Sequence, residues 1–225
     1  MPGRTTILAT GEIYHILNRG IALQPTFLDK RDYQRAKDTL FYYQNSQPPL
    51  RYSKFLTLVQ EERNRFLNNL RKNKQFLIEI IAYCLMPNHF HLLARQIMDN
   101  GISAFASNFT NSYTRYFNTK RERNGPLFEG KFKSIRIENE EQLLHVCRYI
   151  HLNPYTSYVV KTPEDLENYP YSSFPEYLGN SNLDFCAKGV ILGNFKNLSA
   201  HKQFIFDQAD YQRTLNDIKH LLLGD

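Results

Sequence analysis

The chain contains no tryptophan and few cysteines. Its three cysteines, Cys84, Cys147 and Cys186, are odd in number and widely spaced. They form neither a disulfide framework nor a CxxC motif, which favours a reducing compartment. No apolar run approaches the length of a membrane span, and the first residues lack the basic and apolar pattern of a signal peptide. These absences predict a cytoplasmic protein with no membrane partner.

Aromatic and basic residues are plentiful by contrast. The 225 residues include 15 Tyr and 16 Phe, and 28 Lys plus Arg outnumber 22 Asp plus Glu. A mild basic excess is compatible with nucleic acid or acidic lipid as a partner. Aromatic rings beside basic residues suit base stacking, although we expect most of the rings to lie in the core. The length suits one well-filled core, or one core with an appendage.

The order of predicted elements indicates an α+β fold. Hydrophobic periodicity predicts strands at about 12–19, 76–86, 89–96 and 131–137, and helices at about 29–44, 53–72, 102–118 and 140–152. If the helix at 53–72 is an insertion, the order matches a ferredoxin-like or RRM-like βαββαβ fold. Such a fold is an antiparallel sheet with helices on one face, and here an added helix follows the last strand.

The sequence predicts a main domain followed by an extension that is richer in loops. The main domain spans 1–160 and carries a helical insertion at about 46–75. After Pro163 the sequence becomes rich in loops, and Tyr211 to Leu223 resembles one closing helix. We therefore predict that 161–225 is a C-terminal extension, packed on the main domain or appended to it.

The most informative motif is His89-Phe90-His91, which follows a Pro-Asn turn at residues 87–88. On a strand, His89 and His91 point to the same face while Phe90 points to the other. Two imidazoles held on a strand make half of a divalent-metal site. An arbitrary His-x-His pair is more often ordinary and partly buried, so the motif gains meaning only from further residues.

A second informative segment is the helix predicted at the end of the main domain. His145, Tyr149 and Asn153 lie at four-residue spacing on one face, separate from the apolar stripe of that helix. Pro154 disfavours helical geometry at the residue before it, which places Asn153 at the predicted helix end. A lone tyrosine on a helix is normally a packing or surface residue.

Four ordered blocks together resemble a known family. They read YCLMPNHFHLL, LFEGKFKSI, CRYIHLNPYTSYVV and YPYSSFPEYLG, and the strand EIYHILNRG resembles the first strand of the same family. The family is that of the REP-associated tyrosine transposases, which are single-tyrosine HUH transposases of insertion-sequence type. The resemblance covers about residues 10 to 180. The insertion at 46–75 and the tail beyond about 180 depart from it.

The resemblance implies an activity and a set of site residues. It implies that Tyr149 is the nucleophile and that His89, His91 and Asn153 bind Mg²⁺ or Mn²⁺. The implied DNA transposase cleaves and rejoins single-stranded DNA through a 5′-phosphotyrosine intermediate. Its implied substrates are hairpin-forming or palindromic repeats, and the protein is expected to be a monomer or homodimer. The phenol ordinarily has a pKa near 10, so the metal or a base such as His145 or His151 must assist its ionisation.

The DNA-binding surface and two rival functions stay open at this point. The candidate DNA-binding residues are basic or polar side chains near strand ends and in the helix predicted at 102–118, namely Asn18, Arg19, Arg115, Lys131 and Lys133. One rival is a catalytically inactive module that binds single-stranded nucleic acid on the same fold. The other is a zinc-dependent hydrolase that uses Cys84, His89 and His91, although the turn between them makes that geometry awkward.

Overall fold

Four antiparallel strands form the sheet on which the chain is built. Numbered along the chain, their spatial order is β2 (Ile78–Met86), β3 (His89–Gln96), β1 (Ile13–Arg19) and β4 (Lys133–Arg136). The structure is a computed structural model that describes residues 8–46, 48, 50–73, 75–181 and 185–215. The order with β1 and β3 in the centre is that of the predicted ferredoxin-like fold.

Helices cover both faces of this sheet. They are α1 (Lys30–Tyr43), α2 (Tyr52–Phe55), α3 (Gln60–Asn73), α4 (Gly101–Lys120), α5 (Glu140–Thr156), α6 (Phe174–Tyr177), α7 (Gly189–Leu192) and α8 (Leu198–Phe206). Helices α1 and α4 pack together on one face, where the Phe90 ring lies 5.1 Å from that of Phe109 in α4. Helix α5 packs on β2 and β3 from the opposite face. The predicted α+β fold and its added helix are confirmed.

Aromatic residues recur at four-residue spacing along α4 and form part of the core, as we expected of most of the rings. The four rings of this aromatic stripe are almost completely buried, and they are those of Phe105, Phe109, Tyr113 and Phe117. The Tyr113 hydroxyl donates a 2.7 Å hydrogen bond to the Thr26 carbonyl oxygen. The stripe therefore serves packing, and one buried polar group in it is satisfied by the loop that precedes α1.

The single helix predicted at 53–72 is wrong, because two helices, α2 and α3, occupy this segment. Helix α2 ends in tight turns in which Thr57 N and Leu58 N donate to carbonyls three residues back. The Thr57 hydroxyl also donates to the Lys54 carbonyl at 2.8 Å. A threonine hydroxyl that donates to a nearby backbone carbonyl competes with the backbone N–H groups that would continue the helix. The periodicity detected the apolar faces but not this break.

The predicted end of the last main-domain helix is also wrong. Helix α5 continues through Pro154 to Thr156. Pro154 has no N–H to donate. The helical hydrogen bonds resume after it, because Ser157 N donates to the Asn153 carbonyl at 3.0 Å. Asn153 is consequently a buried residue inside the helix, with 3% of its surface exposed. It is not a helix-end residue with a freely turning amide.

The extension after residue 160 lies along the outer edge of β2. Leu85 N donates to the Tyr171 carbonyl, Ser173 N to the Tyr83 carbonyl and Ala187 N to the Ile80 carbonyl, at 2.8 to 2.9 Å. These bonds satisfy backbone groups that an edge strand would otherwise leave open. The domain boundary at 160 stays a prediction. Of the helix predicted at 211–223, residues 209–215 are helical and the remainder lies outside the described residues.

No helix in the described part of the chain is both long and apolar enough to cross a membrane.

A buried carboxylate joins α1 to the end of α4. The side chain of Asp32 has no exposed surface, and it accepts four hydrogen bonds. The donors are Lys120 Nζ at 2.8 Å, Arg121 Nη2 at 2.8 Å, the Tyr116 hydroxyl at 3.1 Å and Leu28 N at 3.0 Å. This network fixes the packing of the two helices and the end of the loop between β1 and α1.

We expect Asp32→Ala to lower the free energy of unfolding by about 3 to 5 kcal/mol, the usual cost of removing one partner from a buried ion pair. Urea denaturation measures the change. The matched control is Asp29→Asn, because Asp29 shares the same cations but is 46% exposed in its side chain. Its replacement keeps a helix-capping oxygen, so the cost is expected to stay below about 1 kcal/mol. Equal losses in the two variants would contradict this account.

Candidate active site

The two histidines of the motif lie side by side on β3 and face α5. His89 is opposite Arg19 of β1, and His91 is opposite Leu17. The two imidazole rings are 4.9 Å apart and nearly perpendicular. Phe90 points to the other face, where it packs against α4. The predicted same-face arrangement of the histidines is therefore present.

The turn before β3 determines which nitrogen of His89 carries the proton. Asn88 Nδ2 donates to the Leu23 carbonyl at 3.2 Å, which directs Asn88 Oδ1 toward the imidazole. His89 Nδ1 lies 2.7 Å from that oxygen and donates to it. In the neutral ring, Nε2 is then the nitrogen with a free lone pair.

The loop between β1 and α1 holds this turn in place. Gly20 N donates to the Asn88 carbonyl at 2.7 Å, and Thr26 N and Phe27 N both donate to the Pro87 carbonyl. Gly20 is the residue that permits this packing, since a Cβ there would lie 2.2 Å from the Gln24 carbonyl oxygen. The position of His89 thus depends on a loop that is distant from it in sequence.

A third histidine lies beside the two histidines of the motif. His15 of β1 places Nε2 at 2.9 Å from Nδ1 of His91, and it is 7% exposed. No motif in the sequence indicates a role for this residue. Alternation along β1 puts His15 on the same face as Arg19, but only the register with β3 reveals that it meets His91.

Helix α5 brings Tyr149 and Asn153 to these imidazoles. The Tyr149 ring lies 5.3 Å from the His91 ring and 6.0 Å from the His15 ring, with edge-on geometry in both cases. The tyrosine is 39% exposed, whereas Asn153 is buried. Asn153 Oδ1 has no well-aligned hydrogen-bond partner in the protein. A buried carbonyl oxygen without a well-aligned partner is unusual in a folded protein.

Burial dominates the electrostatics of the site. It lowers the pKa of His15 to about 4, and it lowers the pKa of His89 to about 4 against the opposing effect of the Asn153 side chain. Burial also holds the pKa of His91 well below its ordinary value, and the neighbouring imidazoles contribute in the same direction. At neutral pH all three rings are therefore uncharged, the form in which an imidazole can ligate a metal.

The phenol of Tyr149 does not ionise easily in this setting. Burial of its hydroxyl end raises the pKa of Tyr149 above its ordinary value, and the Asn153 side chain lowers it in part.

Within the described residues, no group of three or more His, Cys, Asp or Glu side chains could hold a metal ion. The site thus offers two imidazoles and one amide, without a carboxylate.

The two histidines considered as bases for Tyr149 have other partners. His151 is completely buried, with Nε2 at 2.9 Å from the Ser173 hydroxyl and Nδ1 at 3.8 Å from Cys147 Sγ. His145 Nδ1 lies 2.6 Å from Arg148 Nη2. The rings beside Tyr149 are instead those of His15 and His91. His151 belongs to the attachment of the extension rather than to this site.

The zinc alternative finds little support. The register places Cys84 directly opposite His91, closer than the turn between them suggested. The thiol is nevertheless fully buried, burial raises its pKa, and its Sγ contacts Met86 Sδ at 3.6 Å. A thiol held in its neutral form is a poor zinc ligand.

The predicted DNA-binding residues fall on different surfaces. Arg19 lies at the sheet end next to His89 and forms a 2.8 Å ion pair with Glu129. Asn18 points to the opposite face, where it lines a groove of about 460 Å³ together with Lys131. Lys133 is exposed on the edge strand β4. The predicted set is therefore distributed over both faces of the sheet.

Arg115 lines a larger groove of about 1220 Å³ on the outer side of α4. The cations that share this groove are Arg35, Arg51, Lys120 and Arg123. Asn111 lines both this groove and the one that contains Asn18 and Lys131. A polar and predominantly basic track therefore follows α4, on the face opposite to Tyr149.

Comparisons with known proteins agree with this architecture. Residues 48–153 match the family model described as "Transposase IS200 like". A curated REP-associated tyrosine transposase homologue from Haemophilus influenzae is 27% identical over 141 residues, which are 53% of this chain and 78% of that protein. The solved structure of a REP-associated tyrosine transposase bound to a REP hairpin matches with a TM-score of 0.55. That match has 14% sequence identity and covers 82% of this chain and 90% of the other.

Residues 48–153, which include β2, β3, α4, β4 and most of α5, are similar to the IS200-like transposases. The chain is similar to REP-associated tyrosine transposases, the family that its four sequence blocks resemble.

Proposed function

We propose that this protein is a single-tyrosine HUH enzyme that cleaves and rejoins single-stranded DNA. Tyr149 is the nucleophile, and His89, His91 and Asn153 hold a divalent cation. The observation that carries the proposal is the convergence of β3 and α5, because the Tyr149 ring lies 5.3 Å from the His91 ring. Asn153, one helical turn further along α5, acts on the pKa of both His89 and Tyr149.

The side chains at this point fit a divalent cation. Asn153 presents a buried carbonyl oxygen without a well-aligned partner. Nδ1 of each motif histidine lies within hydrogen-bond distance of another side chain, so Nε2 is the nitrogen that would face a cation. Mg²⁺ or Mn²⁺, when bound, supplies Lewis-acid activation of a non-bridging phosphate oxygen. Two nitrogen ligands favour Mn²⁺ at least as strongly as Mg²⁺.

The proposed chemistry conserves the energy of the phosphodiester bond. As the Tyr149 oxygen bonds to phosphorus, the phenol releases its proton and the bond from phosphorus to the 3′ oxygen breaks. The leaving 3′ oxygen takes up one proton, so that the step neither gains nor loses protons. A 5′-phosphotyrosine and a free 3′-OH result, so that attack by another 3′-OH regenerates a phosphodiester without a nucleotide cofactor. The hydroxyl end of Tyr149 lies among neutral imidazoles, so local charge does not repel the phosphate.

We expect Tyr149→Phe to abolish cleavage while folding and DNA binding persist, because only the hydroxyl is removed. Labelled single-stranded DNA is incubated with the protein and Mn²⁺, and a denaturation-resistant adduct is quantified by gel. Tyr211→Phe is the control, since Tyr211 is 62% exposed and lies outside the site. An adduct of equal yield from Tyr149→Phe would remove this residue as the nucleophile. Absence of an adduct from wild type would favour the inactive binding module.

Asn153→Ala tests the metal site at its third ligand. We expect the Mn²⁺ concentration for half-maximal cleavage to rise about 10-fold or more, with partial rescue by excess Mn²⁺. The free energy of unfolding should fall by no more than about 1 kcal/mol, because Asn153 Oδ1 has no well-aligned hydrogen-bond partner to lose and the residue does not cap the helix. The measurement is a Mn²⁺ titration of the cleavage rate, with thermal unfolding in parallel. Superimposable titrations would exclude Asn153 from the site.

We further propose that the substrate is repeat DNA that forms a hairpin and that the track along α4 contributes to its binding. The solved transposase whose fold matches this chain is bound to a REP hairpin, which supports this substrate class. The track contains Arg115 and Lys131, and both are exposed. Cations that neutralise phosphates supply affinity without reading the sequence.

The double variant Arg115→Glu with Lys131→Glu should weaken binding of a hairpin-bearing single strand and flatten its salt dependence, because fewer phosphate counterions are released. Fluorescence anisotropy over a salt series measures both effects. The matched control is the double variant Lys72→Glu with Lys196→Glu, which changes the net charge equally, because both lysines are exposed and lie outside both grooves. If the double variant and the control lose affinity equally, the effect is one of net charge and the track is not the binding surface.

A further inference from the structure

In the contact between His15 and His91, one of the two imidazoles must carry the shared proton. Nε2 of His15 and Nδ1 of His91 are 2.9 Å apart, and the ring planes differ by 24°. Both rings are buried. A hydrogen bond between two neutral imidazoles holds one proton, so one ring must donate and the other must accept.

The direction of this bond decides whether His91 can bind a metal. If His91 Nδ1 donates, Nε2 of His91 has a free lone pair. If His15 Nε2 donates instead, the proton of His91 must reside on Nε2 and the lone pair is lost. The partner of the non-ligating nitrogen thus selects the tautomer of a histidine ligand.

The other motif histidine, His89, supports donation from Nδ1 of His91, because His89 uses the same nitrogen as a donor. His89 donates from Nδ1 to Asn88 Oδ1, whose amide is oriented by Leu23. Both motif histidines thus use Nδ1 for orientation, one through an amide in the adjacent turn and the other through His15. The two Nε2 atoms then become available together.

We propose that His15 is a positioning residue that accepts the Nδ1 proton of His91 and thereby keeps His91 Nε2 free to bind the divalent cation. The consequence for metal binding rests on the proposed function, whereas the tautomer is a property of the protein itself. His15 is paired with Leu93 across the β1–β3 ladder and meets His91 diagonally. Diagonal neighbours in an antiparallel sheet are within reach of aromatic side chains.

A purely packing role for His15 would predict something different. The other residues of β1 on this face are Ile13, Leu17 and Arg19, so an aliphatic residue at position 15 would suit the sheet. A histidine with 7% exposure carries a desolvation cost that packing alone does not offset. The 2.9 Å contact with His91 supplies the reason for its presence.

The first test measures the tautomer of His91 in the metal-free protein at neutral pH by ¹⁵N NMR of the imidazoles. We expect wild type to carry the proton on Nδ1 of His91. His15→Phe keeps an aromatic ring but removes the acceptor, and the His91 tautomer should shift toward Nε2–H. His15→Gln restores the wild-type tautomer, because the Gln carbonyl oxygen replaces the Nε2 acceptor. A wild-type His91 protonated on Nε2, or a tautomer unchanged in His15→Phe, would overturn the proposal.

The second test measures Mn²⁺ affinity by calorimetry for the same three proteins. We expect His15→Phe to weaken binding by about 10- to 100-fold, the usual effect of losing a partner that orients a ligand. His15→Gln should recover most of this loss, whereas equal affinities in the Phe and Gln variants would contradict the proposal. If wild type binds no Mn²⁺, the proposed metal function fails, and the tautomer measurement still decides the role of His15.

Discussion

The pairing of β3 between β1 and β2 is the constraint on which the site depends. It places His89 and His91 on the face covered by α5, and it sets Arg19 opposite His89. It also brings His15 within hydrogen-bond distance of His91. A slip of one residue would turn the histidines toward α4 and direct Phe90 at α5. The buried aromatic packing on the α4 face therefore disfavours such a slip and maintains the strand register that positions the histidines.

Hydrogen bonds hold the polar side chains of this site in place, with one exception. The backbone of the β1–α1 loop holds the turn before His89, and Asn88 in that turn orients the imidazole. Helix α5 continues past Pro154, so Asn153 remains buried next to the histidines. Its unpartnered oxygen is the exception that a bound cation would explain.

The extension after residue 160 gives a reason why neighbouring polar residues on α5 have different roles. Ser173 bonds to the backbone of Tyr83 and also contacts His151. His151 is thereby committed to attaching the extension to the sheet edge. Tyr149 lies two residues earlier on the same helix and faces the imidazoles instead. Helical spacing alone separates the two faces, but it does not tell which of them meets the sheet histidines.

Sequence alone determined the strand that carries His89 and His91, the aromatic core stripe of α4 and the family blocks, because these depend on local periodicity and on residues close together in the chain. The break between α2 and α3 and the continuation of α5 through Pro154 were missed, because side-chain bonds to the backbone and tertiary packing overrode local propensity. His15 and Asn88 were missed as site residues for a related reason. Their roles depend on hydrogen bonds to residues brought near by strand register and loop packing, and only the tertiary structure decided those contacts.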